Sequence, residues 1–268
     1  MTEIAFIEKT LTEGSQLLLA RYEDKGDLGV SRKSLDGEMV TKTDLEIQDL
    51  IADKLTGDFP GDFLVAEELD ESQFPSSGGN RSWILDPIDG THNFIRGLFP
   101  VFGISLAFAV GGVPTAAGIA LPGLDSLFLA EKGSGAFQNG RRIHVSDVSA
   151  VREAKVEVEF PRLSTRLSAL STTRRLMEHV GQIRASGCAI ASLCSVATGD
   201  SDAFIHPTLE LWDYAAGMLL VTEAGGMTSR LNGTEIDFLD GERNILATNG
   251  RLHNDLLSLV VSASEATR

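Results

Sequence analysis

The sequence predicts a layered α/β or α+β fold. Segments of helical and strand periodicity follow one another in mixed order, no internal repeat or low-complexity stretch occurs, and the composition is that of an ordinary folded protein. With 268 residues, 43% of them hydrophobic and 23% charged, the chain can bury a substantial core, and a disordered or collagen-like polymer is excluded.

Ile4, Ile7, Leu11, Leu17, Leu18 and Tyr22 recur at helical spacing, and Asp24 to Gly29 supplies a polar stop. Leu45, Ile47, Leu50, Ile51 and Leu55 mark a second helix, with Thr41 and Thr43 as candidate caps, Asp44 in the first turn, and Gly57, Pro60 and Gly61 closing it. Phe63 to Ala66 and Ser82 to Leu85 are strand-length apolar runs, separated by a loop from Pro75 to Gly79, and each runs into acids. Gly103 to Val110, Ala116 to Leu121 and Ser126 to Lys132, punctuated by Gly111-Gly112, Pro122-Gly123 and Gly133, predict an antiparallel sheet. Ala154 to Phe160 is a further strand and Thr165 to Gly181 a helix. Ala189 to Thr198 and Tyr214 to Ala224, rich in small apolar residues, are tightly packed helices, followed by a strand at Ile245 to Thr248 and a helix at His253 to Ala263. The polar stretch near 145 to 153 divides an N-terminal lobe (1–148), mainly antiparallel sheet, from a C-terminal α/β lobe (149–268).

Lys and Arg number 23 against 38 Asp and Glu, a net charge of −15, which argues against nucleic acid or an anionic membrane as partner. The apolar run Leu98 to Val110 is broken by Pro100 and Gly103 and falls short of the ~20 residues of a membrane span. The N-terminal Met-Thr-Glu-Ile lacks a basic region ahead of an apolar stretch, so no secretory signal is expected. Cys188 and Cys194, with no CxxC spacing, read as reduced buried thiols and hence a cytoplasmic protein.

The informative string runs from Trp83 to Phe94. It begins as a buried strand, and Pro87 should turn the chain out of the sheet, bringing Asp86 and Asp89 to one point. Two carboxylates so placed repel each other unless a cation or proton lies between them, and oxygen-only ligands select a hard ion such as Mg²⁺. A helix starting after Asp89 would turn the N–H groups near Gly90 and Thr91 toward an anion, with phosphate the usual guest. Glu67-Glu68 and Asp213 add acids, although a charged residue opening a helix also serves as an ordinary cap. His92, His144, His179, His206 and His253 form no zinc-binding pattern, and no dinucleotide, P-loop or serine-hydrolase motif occurs.

Four ordered blocks, Val40-Thr41-Lys42-Thr43-Asp44, Ala66-Glu67-Glu68, Trp83 to Phe94, and Trp212-Asp213-Tyr214-Ala215-Ala216-Gly217 leading to Glu223-Ala224-Gly225-Gly226, resemble the inositol monophosphatase family. That family lies within the Mg²⁺-dependent, lithium-sensitive phosphatases that include fructose-1,6-bisphosphatase, and the resemblance covers nearly the whole chain. It implies an αβαβα sandwich, a homodimer, and a phosphoric monoester hydrolase using two to three Mg²⁺ ions. Glu67, Asp86 and the Ile88 carbonyl should hold the first ion, Asp86, Asp89 and Asp213 the second, and Asp44 with Glu67 a weaker third. Catalytic work falls to Glu67, Asp44 and Thr91, the last hydrogen-bonded near Asp44 and orienting the attacking water in direct in-line hydrolysis. Asp89, Gly90, Thr91, Gly187, Ala189, His206 and Asp213 should contact a small phosphate ester, Gly90 and Thr91 through their amides.

The resemblance makes inositol-1-phosphate the leading substrate, with histidinol phosphate, a 3′,5′-bisphosphate nucleotide and fructose-1,6-bisphosphate as alternatives. His206 stands where the family commonly has an inositol-binding Glu; Glu210 is a candidate replacement, while Pro207 argues equally that His206 is a solvated turn residue. Lys33 matches a basic position near the third ion, or is a surface lysine. Trp212 reads as packing. An alternative from another class is a non-catalytic regulatory binding protein on the same fold.

Overall fold

The structure is a computed structural model that describes residues 1–24, 26–33, 38–69, 81–97, 99–160, 166–238 and 241–265. The expected loop from Pro75 to Gly79, and the residues Leu98 and Thr165, lie outside the described residues. Helices α1 (Glu3–Asp24) and α2 (Lys42–Asp58) flank a short antiparallel pair, β1 (Ser31–Arg32) and β2 (Met39–Val40). A seven-stranded sheet follows in sequential order: β3 (Phe63–Ala66), β4 (Arg81–Asp89), β5 (Gly103–Val110), β6 (Val113–Leu121), β7 (Ser126–Glu131), β8 (Gly135–Gln138) and β9 (Arg141–Arg142), with α3 (Thr91–Arg96) between β4 and β5. The rest comprises β10 (Lys155–Val158), α4 (Arg166–His179), β11 (Gln182–Arg184), α5 (Ala189–Thr198), β12 (Ala203–His206), α6 (Leu211–Glu223), β13 (Met227–Ser229), β14 (Ile245–Thr248) and α7 (His253–Glu265). Its strands form a five-stranded sheet ordered β11-β10-β12-β14-β13.

Side-chain alternation along the strands sorts the core into layers. Trp83, Leu85, Leu106 and Phe108 pack against Phe6, Ile7, Leu11 and Leu18 of α1 and Ile47 and Ile51 of α2. Their neighbours Ile84, Ala107, Ala109, Ala117 and Ile119 face the other way, onto Leu193 and Val196 of α5 and Ala215, Ala216, Leu219 and Leu220 of α6. The same helices meet Phe204, Ile245 and Ala247 of the second sheet. The far side of that sheet, Val156, Val158, Ala203, Ile205 and Leu246, closes on Leu176 of α4 and Leu252, Leu256 and Val260 of α7. The result is an αβαβα stack in which each buried large aliphatic or aromatic side chain contributes roughly 1.5–3 kcal/mol. Small residues let the middle helices approach: Gly217 leaves no room for a Cβ against Leu193.

The expected antiparallel pairing holds from β4 to β9, but β3 runs parallel to β4, and β10 runs parallel to both β11 and β12. Helix α6 starts at Leu211, three residues ahead of the expected Tyr214, which moves Asp213 inside it. Among the described residues no helix is long and apolar enough to cross a membrane.

Candidate active site

Pro87 does not end its strand. Asp86 pairs with Ser105 and Asp89 with Gly103, so three steps on β4 oppose two on β5, and the register shift is a β-bulge at Pro87 and Ile88. In an unbroken strand, residues three apart face opposite sides; the extra residue brings Asp86 and Asp89 onto one side, that of α6. The Asp86 carboxylate accepts from the Ile88 N–H at 3.0 Å, which fixes the bulge. Gly90 ends the strand at φ +78°, and a Cβ there would lie 2.8 Å from the Val101 carbonyl oxygen, so only glycine fits.

Asp213 arrives from the opposite side as the third residue of α6. Its Oδ2 accepts from the Glu210 N–H at 3.0 Å, while the Glu210 side chain accepts from the Asp213 N–H, a reciprocal capping box. Ligand atoms of Asp86, Asp89 and Asp213 all lie within 4.8 Å of one another. Asp44 is likewise the third residue of α2, capped by Thr41, whose N–H and hydroxyl both donate to Asp44 Oδ2, at 2.8 and 2.6 Å. Its other oxygen, Oδ1, is buried without a hydrogen-bond partner. Glu67, just past β3, lies near Asp86 and raises its pKa, and accepts from Lys33 Nζ at 2.7 Å; Lys33 also pairs with Glu68, so it is no ordinary surface lysine.

Burial dominates the electrostatics. It raises Asp86 well above the usual carboxylate range, and Glu67, Asp89 and Asp213 push it further. Asp213 is raised well above its ordinary value by burial and then by Asp89 and Glu67. Burial also raises Asp89, against the stabilising N–H groups of Ile190 and Gly90 and the Cys188 thiol. Asp44 rises to about 6 and Glu68 to about 7, each first through desolvation. The site is a concentration of mutually repelling oxygens: the Asp86, Asp89 and Asp213 oxygens make a donor set suited to a hard divalent cation, and the buried, unpartnered Asp44 Oδ1 lies outside that group, on the side of Glu67 and Lys33.

The Thr91 hydroxyl donates to the Ile88 carbonyl at 2.8 Å, within its own turn, rather than to Asp44. The Gly90 N–H is held by Asp89 Oδ1 at 2.7 Å. Asp89 Oδ2 accepts from Ile190 N–H at 2.7 Å, so this acid caps the N-terminus of α5, the helix that Ala189 opens. Gly187 lies in the preceding turn at φ +73°.

His206 is not a solvated turn residue. It ends β12, paired with Ile245, is 6% exposed, and accepts from the Thr208 N–H at its Nδ1. The carboxylate of Glu210, the candidate replacement, caps α6 and accepts from Arg243 at 2.6 Å. Trp212 is core, as expected. Sequence reasoning passed over Asn93 and Glu159, which both bond the Gly187 turn. Asn93 lies inside the recognised string, but Glu159 gives no local signal.

The profile of the inositol monophosphatase family matches residues 1–265. A fructose-1,6-bisphosphatase/inositol-1-monophosphatase of Thermotoga maritima is 33% identical over 97% of this chain and 96% of its own length. A histidinol-phosphatase of Chlorobaculum parvum is also 33% identical, over 91% and 95%. Among solved structures, a Thermotoga maritima IMPase superposes with a TM-score of 0.87 at 32% identity, covering 99% of both chains. Fold, ordered motifs and relatives agree: the chain belongs to the inositol monophosphatase family of phosphoric monoester hydrolases.

Proposed function

We propose that the protein hydrolyses a small polyol or sugar phosphate, inositol-1-phosphate foremost, with two to three Mg²⁺ ions held by Glu67, Asp86, Asp89, Asp213, the Ile88 carbonyl and Asp44. The observation that carries this reading is the convergence of Asp86, Asp89 and Asp213 within 4.8 Å, an arrangement that repels itself without a cation. When bound, Mg²⁺ supplies positive charge that favours ionisation of a water at neutral pH and offsets the charge on the departing alkoxide oxygen.

The chain's own groups do the positioning. Because the Thr91 hydroxyl donates its proton to the Ile88 carbonyl, its oxygen is left as an acceptor that would orient an attacking water. The Ile88 carbonyl keeps a second lone pair for a cation. Asp44, locked at Oδ2 by Thr41, offers Oδ1 to a cation or its water. The Gly90 N–H, which donates to Asp89 Oδ1, and the neighbouring Thr91 N–H are the amides that would receive a phosphate oxygen. Gly187, Ala189 and His206 border the alcohol side. A homodimer, lithium sensitivity and a cytoplasmic location belong to the same reading, the last supported by two free, buried cysteines.

Histidinol phosphate is the first alternative substrate. A buried His206 and an engaged Glu210 leave the expected hydroxyl-binding carboxylate missing on that side. The intact acid cluster weighs against a purely regulatory protein. The test is phosphate release from inositol-1-phosphate, histidinol phosphate, fructose-1,6-bisphosphate and a 3′,5′-bisphosphate nucleotide, with Mg²⁺ or with EDTA. One dominant, EDTA-sensitive substrate is expected; turnover undiminished in EDTA would overturn the metal assignment.

A further inference from the structure

Two polar side chains outside the acid cluster converge on one turn. Glu159, just past β10, accepts at a single oxygen from the Ser186 N–H at 3.0 Å, the Ser186 hydroxyl at 3.1 Å and the Gly187 N–H at 2.9 Å. From the other side, the Asn93 amide in α3 donates to the Ser186 carbonyl at 2.9 Å, to the Gly187 carbonyl at 3.4 Å, and to Val101 at 2.8 Å. Both turn N–H groups and the Ser186 carbonyl are therefore held, by Glu159 just past β10 and by Asn93 in α3.

The turn is tight as well as tied. Gly187 adopts φ +73°, and a Cβ there would lie 3.3 Å from the Asn93 amide. It leads directly into α5, whose Ile190 N–H meets Asp89 Oδ2 at 2.7 Å, while the Cys188 thiol contacts the Asp89 carbonyl. A carboxylate taken out of water is costly unless donors surround it, and among the described residues the donors to Glu159 come from this turn.

We infer that Glu159 and Asn93 form a two-sided clamp on the 186–188 turn and act as positioning residues, fixing the Asp89 carboxylate and the Gly187–Ala189 backbone that borders the substrate. Neither touches the reacting atoms. The kinetic consequence rests on the phosphatase reading; the structural linkage to Asp89 does not.

The variants are Glu159→Ala, Glu159→Gln, Asn93→Ala and the double variant Glu159→Ala/Asn93→Ala of the full chain. Glutamine keeps an acceptor oxygen, so it should restore what alanine loses. Amide hydrogen exchange at Ile190 should quicken in both alanine variants and return toward wild type in Glu159→Gln. Calorimetric Mg²⁺ titration of the metal-depleted chain should weaken about tenfold in each alanine variant, the loss of roughly one charge-assisted hydrogen bond. KM should rise by a similar factor, with kcat changed less than about threefold. The double variant should be no worse than the weaker single, because both act through one turn.

Unchanged Ile190 exchange in both single alanine variants overturns the clamp, as does strict additivity in the Mg²⁺ titration. If Glu159→Ala fails to fold, Glu159→Gln and Asn93→Ala decide by the same readouts. A wild-type chain that hydrolyses none of the esters overturns the phosphatase reading alone, since exchange at Ile190 still reports on the clamp.

Discussion

Asp44 and Asp213 enter the site by the same local device, each as the third residue of a helix whose cap it bonds in return, yet they are held very differently. Thr41 gives Asp44 two donors, leaves one oxygen buried and unpartnered, and adds no charge. Glu210 gives Asp213 a single N–H, and its own carboxylate adds to the repulsion from Asp89 and Glu67. A capping box fixes where a carboxylate points, whereas the neighbours decide what it can do. Asp44 is a pre-set arm at the margin of the site, and Asp213 is one third of its most repulsive point.

The sharpest way to break this comparison is to neutralise each acid in turn. Asp213→Asn should lower kcat/KM at saturating Mg²⁺ by about 10³-fold or more, ~4 kcal/mol at 1.36 kcal/mol per tenfold. Asp44→Asn should cost about 10- to 100-fold, because the ligands proposed for the principal ions, Asp86, Asp89 and Glu67 among them, remain. Equal losses would mean that the two acids are equivalent ligands.

Next in size is the pH dependence of the metal-free fold. Asp44 at about 6 and Glu68 at about 7 lie above their ordinary 3.8 and 4.5, as do Asp86, Asp89 and Asp213. A folded-state pKa above the unfolded one means that the folded state binds more protons. The stability this contributes is full below the unfolded values and is lost as pH rises through about 6 to 7 and beyond. Thermal melting in EDTA should therefore fall from pH 5 to pH 8, by a few kcal/mol in stability. Burial depresses His253 below 6.5, so it contributes in the opposite sense, losing stability as pH falls. Mg²⁺ should flatten the slope, and so should Asp213→Asn more than Asp44→Asn. A metal-free melting temperature that rises across this window would contradict the assigned burial of charge.

What the sequence made legible follows from the range of the signals. Periodicity and punctuation placed the long elements, and the string around Asp86 marked the site because a strand running into acids, proline and glycine has few structural explanations. The bulge was misread as an exit because Pro87's missing N–H is compatible with either, and only pairing with Ser105 and Gly103 decides. The strand β12, Ala203–His206, escaped notice, and with it went the burial of His206. The Asp89 cap on α5 and the Glu159 bonds to the 186–187 turn join residues far apart in the chain, which no local pattern encodes.

The smallest effect separates the two caps themselves. Thr41 is 1% exposed, and its hydroxyl donates to Asp44 while accepting from the Thr43 N–H at 3.1 Å. Thr41→Ala should therefore destabilise the chain by about 1 kcal/mol and free Asp44 to rotate, raising the Mg²⁺ concentration needed for half-maximal activity; Thr41→Ser should restore both. Glu210→Gln keeps an acceptor for the Asp213 N–H, removes one negative charge from beside Asp213, and loses an ion pair to an Arg243 side chain that is 53% exposed. Such a pair contributes little, so melting should shift by no more than ~0.5 kcal/mol, and Mg²⁺ affinity should weaken slightly as the site loses negative potential. Denaturant titration of both variants with and without Mg²⁺ reads the two signs. A Thr41→Ala loss that vanishes in EDTA would show that this cap acts only through the bound cation, and not through α2.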